Sequence, residues 1–284
     1  MSGVNPSSAP SSGAASGETA ERARSFGGVA SQYERFRPGP PVAAVDWFVP
    51  SHVGRAVDLG AGTGALTRLL IDRADEVVAI EPDDRMRAVL ETQVAGVRAL
   101  AGRGESIPLP DGCADAVLAS SSWHWMDPIP TLHEVGRVLV PNGIIGAVWS
   151  GPDPEGPFMV QARAVLAEQS RARTEPAAAG GNEPGELSRL IMDDALRPTF
   201  GFEVPAGVPF NQPDHHVFAW DVPLNADELI GLLGTLSWII TMPDDRRERV
   251  LGEARRLLRD VLGVASDVTV DVAFRADAWR SRRI

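Results

Sequence analysis

Two stretches of this chain carry residue types that chemistry needs. The first is "VDLGAGTGALT", residues 57–67, in which Asp58 stands just before Gly60, Gly62 and Gly64. Glycines so placed accept a positive φ at a sharp turn and leave no Cβ in the way of a ligand lying on the backbone. Glu81 follows about 20 residues on, at the end of the next apolar run. From there its carboxylate reaches the same crevice and accepts hydrogen bonds from the two hydroxyls of a ribose. The second stretch is "ASSSWHWMD", residues 119–127, where three serines lead into a histidine between two tryptophans. Tryptophan is costly to expose and histidine costly to bury unpaired, so this stretch either plugs a core or lines a pocket.

A glycine-rich turn serves dinucleotides and nucleosides alike, and three details separate them. Ala65 stands where a dinucleotide site has its third glycine. Asp58 puts an acid beside the loop, which repels a pyrophosphate and suits an ammonium or sulfonium ligand. All 27 basic residues are Arg, which excludes Schiff-base lysines, a P-loop lysine and the Tyr–Lys pair of many short-chain dehydrogenases. A formal net charge of −11 argues against a nucleic-acid backbone as partner. No Cys/His grouping has zinc spacing, so no metal site is expected. The lone Cys113 forms no internal disulfide, which fits a reducing cytoplasm.

The elements that must position these residues alternate. Strand-like runs at 55–59, 76–81, 97–102, 115–120 and 144–149 are separated by helical patterns at 61–72, 82–94 and 127–139. That is the signature of an α/β fold with a largely parallel sheet. Pro82 sits at the first turn of its helix and Asp127-Pro128 opens another. After Trp149 the pattern changes to a helix at 158–173, a Gly/Pro/Ala-rich loop at 174–186, and a strand at 215–222. Helices at 226–240 and 243–262 and an alternating strand at 267–276 complete the chain. Residues 1–24 read as a disordered tail, with no signal peptide, and no run is long enough to span a bilayer. Residues 25–150 form the binding core, and 151–284 complete the sheet and supply a helical lid.

Those motifs carry a resemblance. The chain is similar to class I S-adenosylmethionine-dependent methyltransferases of the type-11, small-molecule kind, and most similar to the branch that includes trans-aconitate methyltransferase. "VDLGAGTGALT" resembles the first motif and "AIEPDDRM" the second. "GRGESIPLPDGCADAVLASSSWHW" resembles the segment through strand four, and "HEVGRVLVPNGIIGAVW" the approach to strand five. The resemblance implies a doubly wound, seven-stranded, mostly parallel Rossmann-like sheet with a helical lid insertion. The activity it implies is methyl transfer to an oxygen (carboxylate or hydroxyl) or other nucleophile of a small molecule.

Carried over by position, Gly60, Ala61 and Gly62 contact the methionine portion of the cofactor, with Asp58 beneath. Glu81 holds the ribose, Pro82 and Met86 flank the adenine, and the backbone at Gly104 and Glu105 meets its edge. Ser120 lies near the methionine portion. Trp123, His124 and Trp125 either wall the pocket, where aromatic faces attract a cation, or pack on and cap the following helix. His124 is the candidate pocket residue or base, and Trp238 a lid wall. Tyr33 and Arg37, in a segment resembling one that folds over the cofactor, close the site. Two departures stand out: Arg103 replaces an acid expected at the adenine amine, and Val140 and Asn142 replace the usual Lys and Gly, although Asn tolerates the left-handed conformation. A nicotinamide-dependent oxidoreductase and a non-catalytic nucleoside-binding protein are the competing readings; the acceptor and the oligomeric state are not legible.

Overall fold

Strands covered on both faces read as unbroken apolar runs, and four such runs build the centre of this protein. The computed structural model describes residues 36, 39–174, 187 and 201–284. Its strands are β1 (Val53–Leu59), β2 (Ala74–Ile80), β3 (Arg98–Leu100), β4 (Ala114–Ser120), β5 (Leu139–Pro152), β6 (Asp214–Leu224) and β7 (Val270–Arg282). They form one sheet in the order β3-β2-β1-β4-β5-β7-β6. Strands β1 to β5 pair in parallel, and β7 runs antiparallel to β5 and β6. The chain winds outward from β1 to β3 and then crosses to β4 on the other side. The point of reversal therefore lies between β1 and β4, where open α/β sheets bind ligands beyond their carboxyl ends.

Helices α1 (Val42–Phe48), α2 (Ala65–Leu70) and α3 (Asp84–Gln93) precede β4, and α4 (Pro128–Val138) links β4 to β5. Alternation along each strand splits the core in two. Val57, Val117 and Ile145 point to the face under α4, while Ala56, Leu118 and Val148 meet Phe48 of α1 and Leu66 and Leu70 of α2. Beyond β5, the face under α4 is continued by a non-helical segment that buries Phe202, Val204, Val208 and Phe210. Pro209 and Phe210 lie where a Cβ on Gly136 of α4 would stand. The remaining helices, α5 (Pro157–Thr174), α6 (Ala226–Gly234), α7 (Ser237–Ile240) and α8 (Asp244–Arg256), have a core of their own. Leu166, Ile230, Ile239 and Val250 meet there, and Phe158 and Leu232 anchor the helical layer on Val272 and Phe274 of β7. This helical layer falls within 151–284, the part of the chain where the resemblance implies a lid.

Several boundaries move for local reasons. The helix expected from residue 82 starts at Asp84, because the Asp83 carboxylate accepts the Arg85 and Met86 backbone N–H groups as an N-cap. Asp127 caps α4 with Pro128 at its first turn. The run 226–240 divides into α6 and α7, and α6 begins with a reciprocal Asn225–Glu228 capping box. Asn142 adopts φ 63°. Ala114 pairs with Leu139 and Ala116 with Ile144, so residues 140–143 bulge out of the ladder and β5 is longer than its apolar run. β7 extends to Arg282, well past the expected end at 276. The tail at 1–24 and the loop at 175–186 lie outside the described residues.

Gly146 on β5 gives the fold a sharp test. A Cβ there would stand 2.6 Å from the Phe48 ring and 2.7 Å from Leu118, whereas one at Gly151 meets nothing within 4 Å. Overpacking a buried site costs about 1–3 kcal/mol. Gly146→Ala is expected to lower the denaturant midpoint by an equivalent amount, with Gly151→Ala unchanged; equal midpoints would contradict this packing.

Candidate active site

The glycine loop leaves the carboxyl end of β1 and turns across the end of β2. Gly60 and Ala61 donate their N–H groups to the Ile80 carbonyl, at 2.8 and 3.0 Å, which pins the loop to its neighbour strand. Gly60, Gly62 and Gly64 all have positive φ, at 71°, 56° and 92°, a conformation that disfavours any Cβ. Their surroundings differ. A Cβ on Gly60 would press on Ser122, and one on Gly64 on Leu90 and Val94, but one on Gly62 meets no atom within 4 Å among the described residues. Gly60 and Gly64 are therefore needed for packing as well as for the turn, while Gly62 borders open space.

Two carboxylates flank that space. Asp58 is buried in β1, and its Oδ2 accepts the Thr67 hydroxyl of α2 at 2.6 Å. Its Oδ1 is buried with no hydrogen-bond partner among the described residues. Burial pushes its pKa up to about 7, and the Thr67 hydrogen bond counteracts part of that rise. Glu81, just past β2, accepts the Gly62 N–H through Oε2 and the Asp83 N–H through Oε1, each at 2.9 Å. Its pKa is also raised, again chiefly by burial. One carboxylate oxygen thus binds the loop directly, and each Glu81 oxygen retains lone-pair capacity.

The third wall comes from β4. Ser120 is half-buried at its end. Ser121 has φ 52°, a left-handed conformation that costs a serine about 1–2 kcal/mol, and it still donates its N–H to the Val148 carbonyl at 2.8 Å. The turn lets Ser122 reach back under β1, where its hydroxyl donates to the Leu59 carbonyl at 2.7 Å. A 3₁₀ turn then carries Trp123, His124 and Trp125. Trp123 departs from the wall: it is buried, with its ring 4.8 Å from Phe202, so it packs in the core under α4. The 3₁₀ turn points successive side chains about 120° apart, leaving His124 exposed and Trp125 half-buried, with their rings 4.6 Å apart. The indole of Trp149 on β5 donates to Nδ1 of His124 at 3.1 Å.

Met86 is buried at the first turn of α3, and Pro82 is exposed beside Glu81. Gly104 lies in a tight loop closed by pairing between Arg103 and Ser106. The Glu105 carboxylate accepts the Asp127 N–H at 2.8 Å, and Arg137 of α4 donates to the Ile107 and Leu109 carbonyls at 2.9 and 2.8 Å. Segment 103–109 is thus tied to α4 and brought beside the end of β2. Arg103 is exposed and faces Glu105 at 4.0 Å. Tyr33 and Arg37 lie outside the described residues, as does the side chain of Trp238, whose backbone belongs to α7. The described residues contain no grouping of His, Cys, Asp and Glu fit for a metal ion. They also contain no helix long and apolar enough to cross a membrane. Sequence reasoning missed Thr67, Ser122 and Trp149; only Trp149 left a signal, as an aromatic at the end of the strand next to the one that feeds His124.

These residues suit a cationic nucleoside. An orphaned buried carboxylate oxygen, a cradle that a Cβ on Gly62 would fill, and a ribose-type acid meet at one crevice. Comparison with known proteins agrees. Residues 57–147 match the family described as "Methyltransferase domain". An uncharacterized methyltransferase of Mycobacterium tuberculosis is 35% identical over 234 residues, spanning 82% of this chain and 85% of that protein. A malonyl-[acyl-carrier protein] O-methyltransferase of Pectobacterium atrosepticum is 32% identical over 130 residues, 43% of this chain and 50% of that protein. A solved structure from Anaeromyxobacter dehalogenans, described as a type II methyltransferase, has a TM-score of 0.54 and 24% identity, and covers 87% of this chain and 98% of that one. That last likeness is one of fold, and none of these relatives carries the trans-aconitate activity in its name. At the level of the class, the chain belongs to the S-adenosylmethionine-dependent methyltransferases of class I.

Proposed function

We propose that this protein methylates an oxygen, carboxylate or hydroxyl, of a small molecule, with the nucleoside held at the β1/β4 crevice and the acceptor between the His124–Trp125 pair and the helical layer. The observation that carries the reading is the meeting of Gly62, Glu81 and an Asp58 oxygen unpartnered among the described residues, at the sheet's point of reversal. The O-methyltransferase relative supports oxygen as the receiving atom, and the net charge of −11 speaks against a nucleic-acid acceptor.

Bound S-adenosylmethionine supplies a methyl group already activated on a sulfonium. That methyl group would pass to the acceptor's lone pair, the carbon–sulfur electron pair remaining on sulfur. The chain's own share is binding, alignment and exclusion of water, and orientation alone is worth up to about 7–11 kcal/mol. In this reading Asp58 places negative charge beneath the donor's cationic end, and Glu81 accepts the ribose hydroxyls. Gly60, Ala61, Gly62 and Ser120 border the methionine portion. Pro82, Met86, Gly104 and Glu105 frame the base.

Glu81→Ala removes two charge-assisted acceptors, each worth about 1.5–3 kcal/mol. Calorimetric affinity for S-adenosylhomocysteine is expected to fall at least about tenfold. Transfer of labelled methyl into a soluble metabolite pool should fall with it. Unchanged binding would remove Glu81 from the site.

Asp58 adds a dependence on pH. Its folded pKa of about 7 stands above the ordinary carboxyl value of 3.8, so stability present at low pH is lost as pH rises toward and through 7. Asp58→Asn, scanned without cofactor, should gain in Tm over the wild type from pH 5 toward 7 and hold that gain above. A bound cation favours the ionised carboxylate. Wild-type affinity for S-adenosylmethionine therefore climbs as pH rises toward 7, by up to about tenfold per unit, and levels off above it, while Asp58→Asn flattens the climb; parallel curves would contradict this.

A further inference from the structure

The two edges of the sheet are built differently. β3 is three residues long, the short kind of edge that deters pairing. β6 is eleven residues long and pairs with β7 alone among the described residues. Its register with β7 is unbroken from Asp214 to Leu224, so no bulge turns the edge aside. Bonds on the far side of β7 show which β6 residues face outward, because alternate residues of an antiparallel strand turn both backbone groups to the same side. The Ala273 carbonyl accepts the Asp153 N–H at 2.7 Å, and Arg283 exchanges bonds with Asn142 and Gly143, on the side of β5. The Arg282 carbonyl instead accepts the Asn211 N–H at 3.0 Å, on the side of β6. Odd-numbered residues of β7 therefore serve β5 and even-numbered ones serve β6. Opposite the odd ones stand His215, Val217, Ala219, Asp221 and Pro223, whose own backbone groups face away from the sheet. Pro223 fits that row because no N–H is asked of it there.

The side chains along this edge are not those of a solvated strand. On one face His216 stacks toward Trp47 of α1 at 5.9 Å and lies 4.6 Å from Phe218. Trp220 follows on the same face, 5.6 Å from Phe274 of β7, and both Phe218 and Trp220 stay half-buried. On the other face His215, Val217, Ala219 and Asp221 are all exposed, and Asp221 forms no ion pair among the described residues. We propose that β6 pairs antiparallel with β6 of a second copy of this chain, about a two-fold axis at Phe218, so that two sheets become one. This inference stands apart from the reading of the crevice.

Charge and shape choose the register. With Phe218 opposite the partner's Phe218, His215 stands opposite the partner's Asp221 and Val217 opposite the partner's Ala219. These are the outward-facing residues, so each of their N–H groups meets a carbonyl. On the other face His216 meets the partner's Trp220, and the aromatic cross-strand pairs that stabilise sheets form on both sides of the axis. Sliding the partner by two residues sets Asp221 opposite the partner's Pro213 or the partner's Val217, and the match of imidazole to carboxylate is lost. Sliding it by one sets outward groups against positions already bonded to β7. A foreign strand has no reason to bring a donor to Asp221, whereas a second copy brings His215 to it twice.

Sedimentation velocity on the full chain, over a micromolar dilution series, reads the association directly. The wild type is expected to run as a dimer that dissociates on dilution. Val217→Pro removes an outward N–H while sparing the bonds to β7, and should weaken the dimer at least about tenfold. His215→Asp sets carboxylate against carboxylate, and Asp221→Arg leaves His215 without its acceptor; each alone should also weaken the dimer at least about tenfold. Mixed one to one, the two variants supply each other's missing partner, and the mixture should return to within about threefold of the wild-type dissociation constant. A folding defect in either variant would not be repaired by mixing. A wild type that stays monomeric throughout the series, a dimer indifferent to Val217→Pro, or a mixture no more associated than its components overturns the proposal.

Discussion

Asp58 accepts one hydrogen bond and leaves its other oxygen unpartnered among the described residues, inside a sheet whose neighbouring positions are apolar. A buried acceptor without a partner costs about 1–3 kcal/mol, more when charged. The surroundings have to over-determine its position for it to persist. Val57 and Leu59 on either side of it are locked into one core, and Thr67, its single donor, is fully buried on α2. The raised pKa records the same cost. A group held this way costs stability, and under the proposed function a cationic ligand would offset that cost.

The crevice stays open through a second set of local costs. Ser121 takes a left-handed φ, and the result is that Ser122 ties β4 to the Leu59 carbonyl of β1. That bond crosses the point where the chain's winding reverses. It also fills the space in which a side chain at residue 60 would stand. Gly60 and Ser122 therefore specify each other, and neither contributes to the site through chemistry of its own. Glu81 does both jobs, bonding the loop at Gly62 and the start of α3 at Asp83. Backbone strain, a missing Cβ and a shared carboxylate together keep the loop from collapsing onto the sheet.

Much of this was legible in the sequence because buried parallel strands are written as short apolar runs and because the loop needs glycine at particular positions. Asp58, Glu81 and the glycines stood out as residue types that a plain turn does not require. What escaped notice depends on direction. Trp123, His124 and Trp125 are consecutive, and only a 3₁₀ turn decides that the first enters the core while the second stays exposed. Thr67 lies in a helical pattern like any other polar residue until α2 is seated on β1. The cover over the antiparallel strands, Phe202 to Phe210, has no periodicity to announce it. The expected strand at 267–276 stops short of β7, which continues through Asp277, Arg280 and Arg282. Asp277 in fact pairs across the sheet with both Trp149 and Val217.

The two halves of the molecule divide the work by architecture. The parallel half supplies the proposed nucleoside site with backbone and carboxylates, groups whose geometry depends on strand register and not on side-chain identity elsewhere. The antiparallel half, with its helical layer, approaches from the other side. A Cβ on Gly231 of α6 would run into the Phe36 ring, and Gly39 lies where its Cβ would touch Ala65 at the head of α2. The chain leading into α1 thus passes from the helical layer to the glycine loop and joins the two halves beside the crevice. His124 belongs to the first half by its strand and to the second by its hydrogen bond to Trp149. A change in β6 or β7 can therefore reach His124 through Trp279 and Trp149 without disturbing Asp58 or Glu81.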